Sequence, residues 1–283
     1  MQRIRPVIVD AVTHFNNDDG WAMASHVALS IILALFPFMI FGTALASFLG
    51  ANAYAETASH LIFDAWPESI AEPISREVVN VLTVERGGLL TVSVLAAAFF
   101  SANGVGALRV SLNRAYRVTE TRSWYVTRAQ DLVFVVVAVL VIMAISFLLV
   151  LAPLALKLAR QFAPWMETMI SAVDNWRILV AVLVLVGGLI TSHLWLPCGH
   201  RKLIEVMPGI GVTLIAWIAG ALTFASYLNQ FATYASTYAG LASIMIALVF
   251  LYIIAAIFIL GAEINAALLK ARTCSEAAQG PAL

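Results

Sequence analysis

Long stretches without a charged side chain are the feature that most constrains this chain. Five windows contain no Asp, Glu, Lys or Arg: residues 20–55, 87–108, 132–156, 178–200 and 206–262. A helix needs about 20 apolar residues to cross the hydrocarbon core of a bilayer, so each of the first four windows accommodates one span. The last window would be about 85 Å long as a single helix at about 1.5 Å per residue, so it must fold back.

The fold-back point is a polar stretch between Asn229 and Gly240, which contains three Ser or Thr and two Tyr side chains. The apolar runs lack the alternation of barrel strands, and lipid admits only helices or closed barrels. The predicted fold class is therefore all-α, a polytopic membrane protein with six transmembrane helices and amphipathic interfacial helices. The predicted spans are 24–49, 88–110, 132–156, 178–198, 206–228 and 241–268.

Composition excludes several classes of protein. Hydrophobic residues make up 62% of the chain and charged residues only 11%, whereas a soluble domain carries roughly 25% charge. Too few charges are present to cover a water-facing surface, which argues against a soluble enzyme. The net charge is zero, so no overall positive field would attract nucleic acid.

Basic residues predict the orientation. Six spans place both termini on the same side, and cytoplasmic loops carry an excess of Lys and Arg. Cytoplasmic termini put eleven basic residues inside and five outside. The inside set is Arg3, Arg5, Arg109, Arg114, Arg117, Arg122, Arg128, Arg201, Lys202, Lys270 and Arg272, and the outside set is Arg76, Arg86, Lys157, Arg160 and Arg177. We predict a multi-pass membrane protein with both termini in the cytoplasm.

Residues 1–283 are predicted to form one membrane domain with three segments outside the spans. Segment 1–20 has apolar residues at helical spacing, so we expect a cytoplasmic amphipathic helix that either packs under the bundle or lies at the interface. Segment 50–86 is expected to be an external amphipathic segment that either caps a cavity or simply connects two spans. Residues 270–283 are expected to be a cytoplasmic tail, and both cysteines should be reduced thiols.

Glu263 is the clearest candidate for a functional residue, because ionisable groups are costly inside membranes and often mark transport pathways. It lies near the cytoplasmic end of the last predicted helix, between Gly261 and Asn265. Its carboxylate needs a cation, a proton or a water-filled cavity. We expect the cation to come from one of three arginines at a similar depth, Arg109, Arg114 and Arg128. A structural ion pair and a functional site explain the residue equally well.

The second predicted helix carries small and polar residues in the sequence SANGVGALRVSLNRAY. Asn103, Gly104 and Gly106 indicate either close helix packing or a local break of the helix. Further along the same helix, one face combines Arg109, Asn113, Arg114 and Arg117, side chains that could bind phosphate. A collar of snorkelling arginines is the alternative, and it suits Arg117 and Arg122 better than Arg109. In the first helix, Pro37 predicts a kink, and at the end of the last helix Gly261 is a further candidate for a break.

Several motifs are absent from the sequence. It contains no HExxH, no CxxC, no GxSxG nucleophile elbow and no P-loop. We therefore expect no metal, no cofactor and no enzymatic activity. We also expect no nucleic-acid partner, and the sequence does not indicate an oligomeric state.

The chain resembles the YihY/virulence factor BrkB family, formerly labelled ribonuclease BN. The resemblance is carried by ASHVALSIILALFPF, by SANGVGALRVSLNRAY, by MPGIG and by the late stretch FASYLNQFATYASTYAGLASIMIALVFLYIIAAIFILGAEINAAL. It implies a six-helix bacterial inner-membrane protein of transporter type, with translocation of lipids or lipopolysaccharide precursors proposed for some members. The ribonuclease label is regarded as misassigned. His26 departs from the aromatic or small residue expected at that position.

We consider three candidate functions for this chain. The first is a transporter or translocator of a lipid or another anionic amphiphile, with the headgroup held by Arg109 and Arg114 and with Glu263 as a gate or proton site. The second is a non-transporting membrane scaffold for envelope integrity or virulence. The third, a membrane nuclease, ranks last. Membrane lipids are the expected partners, with an anionic lipid as the expected substrate.

Overall fold

The structure, a computed structural model, describes residues 4–48, 87–148, 156, 167–230 and 239–278. Seven helices and no strand occur within these ranges, which confirms the all-α fold class. The helices are α1 (Ile4–Asn17), α2 (Gly20–Phe48), α3 (Gly87–Ala115), α4 (Trp124–Ser146), α5 (Glu167–Trp195), α6 (Leu203–Gln230) and α7 (Ala239–Ala278).

Five described helices are long and apolar enough to cross a membrane, judged by length and composition. The candidate spans are Val94–Ala115, Trp124–Ile145, Trp176–Trp195, Leu203–Tyr227 and Ile244–Thr273, in α3 to α7. In α2 the described apolar part, Gly20–Leu35, is shorter than a span. The span expected at 24–49 therefore stays a prediction, as does the total of six. The expected external segment 50–86 lies outside the described residues.

Several helices extend beyond the predicted limits because the prediction stopped each helix at a charge. The largest differences are in three helices: α4 begins at Trp124 rather than at 132, α5 begins at Glu167 rather than at 178, and α7 continues to Ala278 rather than ending at 268. A charged side chain does not end a helix when it finds a partner, and Asp131 in α4 is ion-paired with Arg109. The first part of the expected tail, up to Ala278, is accordingly helical.

The chain packs as two compact units, one made of Met1–Leu29 with Val105–Leu283 and the other of Ser30–Gly104. In the larger unit, α6 packs on α7, α7 on α1, and α5 on both α4 and α6. Its core is built mainly from small and aliphatic side chains, among them Ala24, Leu112, Ile210 and Ile259. In the smaller unit, Gly104 faces Ser30, where an added Cβ would lie 3.7 Å from the serine Cβ.

Helix α1 packs against the last helix. Val7 and Ala11 are buried together with Ala267, whereas Ile8 and Val12 on another face are exposed. Of the two alternatives for this segment, the contact with α7 fits packing on the bundle, and the exposed apolar face fits an interfacial position beside it.

Candidate functional site

Glu263 is buried and shares its cation with a second carboxylate. Its side chain is 1% exposed, and Arg117 Nη2 lies 3.8 Å from Glu263 Oε2. The same nitrogen donates a hydrogen bond of 2.7 Å to Asp10 Oδ2 in α1. Lys270, two turns further along α7, donates to the other oxygen of Asp10 at 2.8 Å. Two acids and two bases from three parts of the chain thus form one charged cluster.

Arg117 reaches this position through an unusual backbone conformation. Its φ is +58°, in the left-handed region that glycine normally occupies at the end of a helix. Val118 N donates to Asn113 O at 2.9 Å and Arg117 N to Arg114 O at 2.7 Å, the pattern of a Schellman motif that ends α3. A non-glycine residue here costs roughly 1–2 kcal/mol, so the arginine retains its place through its side-chain contacts.

Asp10 is held as a carboxylate by its two cations. Partial burial opposes ionisation, but hydrogen bonds from Lys270 and Arg117 lower the pKa of Asp10 to about 2. The ion pair between α1 and the rest of the cluster should therefore persist at every pH near neutrality. Arg117 lies closer to Asp10, at 2.7 Å, than to Glu263, at 3.8 Å.

Asn265, one turn beyond Gly261, fastens α7 to the start of α6. Its Oδ1 accepts a hydrogen bond of 2.6 Å from Gly209 N, and its Nδ2 donates to Val206 O at 3.0 Å and to the hydroxyl of Tyr116 at 3.1 Å. The side chain is 2% exposed. Because all its polar atoms are satisfied inside the protein, Asn265 has a structural role in joining helices.

Close backbone approach makes this contact feasible. A Cβ on Gly209 would overlap the carbonyl oxygen of Gly261, and a Cβ on Gly261 would overlap Oγ1 of Thr213. Small residues at a helix interface let backbones approach in this way. Helix α7 runs without interruption through Gly261, and α3 runs without interruption through Gly104 and Gly106. The glycines therefore serve packing, and the breaks expected at these three positions are not found.

Tyr116 connects Asn265 to α5. Its hydroxyl is hydrogen-bonded to Nδ1 of His193 at 2.7 Å, and the guanidinium of Arg201 lies over its ring, 4.0 Å from the centroid. Burial raises the pKa of Tyr116 to about 12, although Asn265 and Arg201 act in the opposite direction. The tyrosine therefore stays neutral, and its hydroxyl joins Asn265, which donates to it, to His193.

Several buried polar atoms beside these networks have no hydrogen-bond partner. In the described part of the chain, the side-chain atoms concerned are His193 Nε2, Arg201 Nη1, Thr213 Oγ1 and Glu263 Oε2. Each such atom costs about 1–3 kcal/mol when left unsatisfied away from water. His193, Thr213 and Glu263 lie on largely apolar helices, where a buried ionisable or polar side chain is a candidate for binding a proton, water or a polar ligand.

A second charged cluster lies in the connection between α3 and α4. Arg109 donates to both oxygens of Asp131 at 3.0 and 3.2 Å and to Glu120 at 3.1 Å. Glu120 also accepts from Asn113 and Arg122. Asp131 is 1% exposed, and Gly106 leaves room for it, since an added Cβ would lie 3.1 Å from its carboxylate. The expected phosphate-binding arginine is thus already paired with two acids.

The remaining predicted residues are distributed between both units. Arg114 donates to Asp18 O at 3.4 Å, and Arg128 is half-buried on α4. Asn103 belongs to the smaller unit, as does Pro37, which is buried within α2. The kink at Pro37 stays a prediction.

The expected partner of Glu263 requires a correction. Arg109, Arg114 and Arg128 were the expected cations, but the ion pair of Glu263 is with Arg117, the residue for which the snorkelling collar had been preferred. Sequence reasoning failed here because the left-handed turn at Arg117 redirects its side chain towards α1 and α7.

Other residues of the site were not predicted at all: Asp10, Tyr116, Glu120, Asp131 and His193. Asp131 carried a usable signal, because it directly precedes an uncharged window and can reach a basic residue of the preceding helix. Tyr116 and His193 carried none, since their contact joins positions 77 residues apart.

The described side chains include no group of three or more His, Cys, Asp or Glu placed to hold a metal ion. What the arrangement offers is a buried carboxylate with one distant cation, a fixed network of neutral polar groups and a set of paired arginines. Such groups can bind and release protons or anions.

Comparison with known proteins gives three matches. A family model described as virulence factor BrkB matches residues 11–282. The chain is 30% identical over 257 residues to the ribonuclease-like protein YfkH of Bacillus subtilis, covering 89% of this chain and 91% of that protein. It is 25% identical over 287 residues to a UPF0761 membrane protein of Rhodospirillum centenum, covering 97% of this chain and 60% of that protein. No solved structure matches the chain.

Proposed function

Because the chain belongs to the virulence factor BrkB family, we propose that it is a transporter that moves a lipid or another anionic amphiphile across or out of a bacterial inner membrane. One observation carries the proposal. Glu263 is a buried carboxylate within the apolar helix α7, one of its oxygens has no hydrogen-bond partner, and its cation is bound more closely by Asp10.

The energetics favour a functional role for this carboxylate over a purely structural one. An ion pair that only locked helices together would be expected at hydrogen-bonding distance, because a buried charge is otherwise costly. Arg117 and Glu263 are 3.8 Å apart, and Arg117 occupies a strained backbone position to reach both acids. An ionisable group left incompletely paired in this way is suited to exchange a proton or an anionic group as substrate passes.

In the proposed cycle, Arg117 alternates between Asp10 and Glu263. When it is bound to Asp10, the end of α3 is fastened to α1 and Glu263 is left without a close cation. When it turns to Glu263, the link between α3 and α1 is released, while Lys270 and the apolar contact with Ala267 keep α1 on α7. The chain acts as a carrier without covalent chemistry, with both termini in the cytoplasm.

Transport of fluorescent lipids in proteoliposomes tests the proposal. The full chain is reconstituted with nitrobenzoxadiazole-labelled phosphatidylglycerol or phosphatidylcholine, and dithionite reports movement of the label between leaflets. We expect phosphatidylglycerol to move at least about tenfold faster than phosphatidylcholine, a difference of about 1.4 kcal/mol in barrier height. Equal rates for both lipids, or rates equal to those of protein-free vesicles, would leave the scaffold function as the better explanation.

Three variants assign the effect to the cluster. Glu263→Gln keeps the size of the side chain but removes its charge, and it should abolish the preference for phosphatidylglycerol. Arg117→Gly removes the cation while supplying the residue that the left-handed position favours, so the end of α3 should be preserved. Glu205→Gln, a half-exposed acid in the first turn of α6, is the matched control. Parental transport by Glu263→Gln would disprove the mechanism.

A further inference from the structure

Five hydrogen bonds converge on a single carboxylate in the connection between α3 and α4. Glu120 Oε2 accepts from Arg109 Nη1 at 3.1 Å, from Asn113 Nδ2 at 3.0 Å and from Arg122 Nη2 at 2.8 Å. Glu120 Oε1 accepts from Arg122 Nε at 2.7 Å and from Arg122 N at 3.1 Å. Two guanidinium groups and an amide around one anion form an arrangement typical of phosphate recognition.

The donors are positioned by contacts that do not involve Glu120. Asp131 holds two other nitrogens of Arg109. The Oδ1 atom of Asn113 accepts from Cys198 N at 2.7 Å, which fixes the amide so that its NH₂ group faces Glu120. Arg122 donates to Gln130 and to Leu196 O. We call these three side chains, Arg109, Asn113 and Arg122, the cradle. The cradle should keep its geometry when the Glu120 carboxylate moves away.

The cradle lies where lipid headgroups are expected. Its side chains come from the end of the span in α3 and from the connection that leads to the span in α4. Trp124, Tyr125 and Trp195 surround this level with largely exposed rings, and such aromatic residues mark the boundary between hydrocarbon and headgroups. The Glu120 side chain is itself 25% exposed, so an incoming group can reach it from outside.

Charge also fits an exchange of one anion for another. Arg109 is balanced by Asp131 and Arg122 by Glu120, so displacement of Glu120 leaves one positive charge in the cradle. A phosphodiester carries one negative charge and restores the balance. The hydrogen bonds from Arg122 hold the pKa of Glu120 well below its ordinary value, so the displaced group remains an anion that can return.

We propose that Arg109, Asn113 and Arg122 form a binding site for the phosphate group of an anionic phospholipid, which Glu120 occupies as an internal substitute when no lipid is bound. The site goes beyond the proposed transport, and binding is expected whether or not the chain moves lipids. An attached ligand competes at an effective concentration in the millimolar range, so Glu120 weakens the binding of external phosphate.

Removing the internal competitor provides the test. The full chain, its Glu120→Ala variant and its Glu205→Ala variant are purified in dodecyl maltoside and titrated with phosphatidylglycerol, phosphatidylcholine or inorganic phosphate. Glu205→Ala removes the same charge at a position that instead caps α6 by accepting from Lys202 N. The readout is melting temperature, with lipid adducts counted by native mass spectrometry. Glu120→Ala should bind phosphatidylglycerol at least about tenfold more tightly than the unsubstituted chain, whereas Glu205→Ala should not.

The control measurements identify the source of the bound phosphate group. They also include results that would overturn the proposal. Binding of phosphatidylglycerol alone identifies a lipid headgroup, and equally tight binding of inorganic phosphate identifies a free anion at the same site. Equal gains in Glu120→Ala and Glu205→Ala would overturn the site, as would equal binding of phosphatidylcholine. In the unsubstituted chain, phosphatidylglycerol should also protect Arg122 from phenylglyoxal. Unchanged modification of Arg122 would count against the proposal even if Glu120→Ala failed to fold.

Discussion

Replacing Gly209 by alanine should force α6 and α7 apart. The new Cβ would overlap the backbone carbonyl of Gly261 and would lie 2.6 Å from Cγ of Asn265. Ordinary van der Waals contact begins near 3.4 Å, and a backbone carbonyl cannot rotate away as a flexible side chain can. The helices must therefore separate by about 1 Å or more, which stretches the 2.6 Å bond from Gly209 N to Asn265 beyond hydrogen-bonding distance.

The size of the effect follows from three contributions. Overpacking costs about 1–3 kcal/mol. Loss of the two hydrogen bonds between Asn265 and α6 costs about 0.6 kcal/mol each in a membrane protein. Alanine returns about 1 kcal/mol of helix propensity relative to glycine. The expected net loss of unfolding free energy is about 1–3 kcal/mol, or about 2–12 °C in melting temperature at roughly 2–4 °C per kcal/mol.

Gly211→Ala is the matched control, because a Cβ at Gly211, two residues along the same helix, would meet nothing within 4 Å. This variant should be as stable as the parent or slightly more stable. Melting is followed by circular dichroism in detergent, with a titration of sodium dodecyl sulfate as an independent measure. Equal stability of Gly209→Ala and Gly211→Ala would refute the close approach of α6 and α7.

Two further predictions concern Tyr116 and the orientation of the chain. Since burial raises the pKa of Tyr116 to about 12 from an ordinary 10.0, its neutral form should stabilise the fold fully below about pH 10, and that contribution should be lost as the pH rises through about 12. The fall in melting temperature between about pH 9 and about pH 11 should be smaller in Tyr116→Phe. In a Cys274→Ser chain, a membrane-impermeant maleimide should label the half-exposed Cys198 in inverted vesicles but not in spheroplasts; the opposite pattern would reverse the predicted topology.

Local sequence was sufficient to locate the apolar helices α3 to α7 and to single out two buried polar residues of α7. An apolar run of about 20 residues has one stable conformation in lipid, so hydropathy alone locates it. Glu263 and Asn265 stood out because each interrupts such a run, and both are buried in the structure. The start of α4 was placed too late and the end of α7 too early, since a charge marks the end of an uncharged window but not the end of a helix.

The contacts of these residues could not be read from sequence. Asn265 and Tyr116 are 149 positions apart, and the choice of Arg117 over Arg109 as the cation of Glu263 depends on one left-handed residue. Whether a glycine breaks a helix or lets a neighbour approach depends likewise on the neighbour, as Gly209 and Gly261 illustrate.

Sequence by itself thus determined that this chain is a helical membrane protein and that α7 carries costly polar groups. The tertiary structure alone decided which groups meet: Asp10 with Arg117, Asp131 with Arg109, and Tyr116 with His193. The physical reason is that the free energy of inserting a helix into lipid is a sum over its own residues. The free energy of a buried polar group instead depends on which atoms the neighbouring helices place within about 3 Å of it.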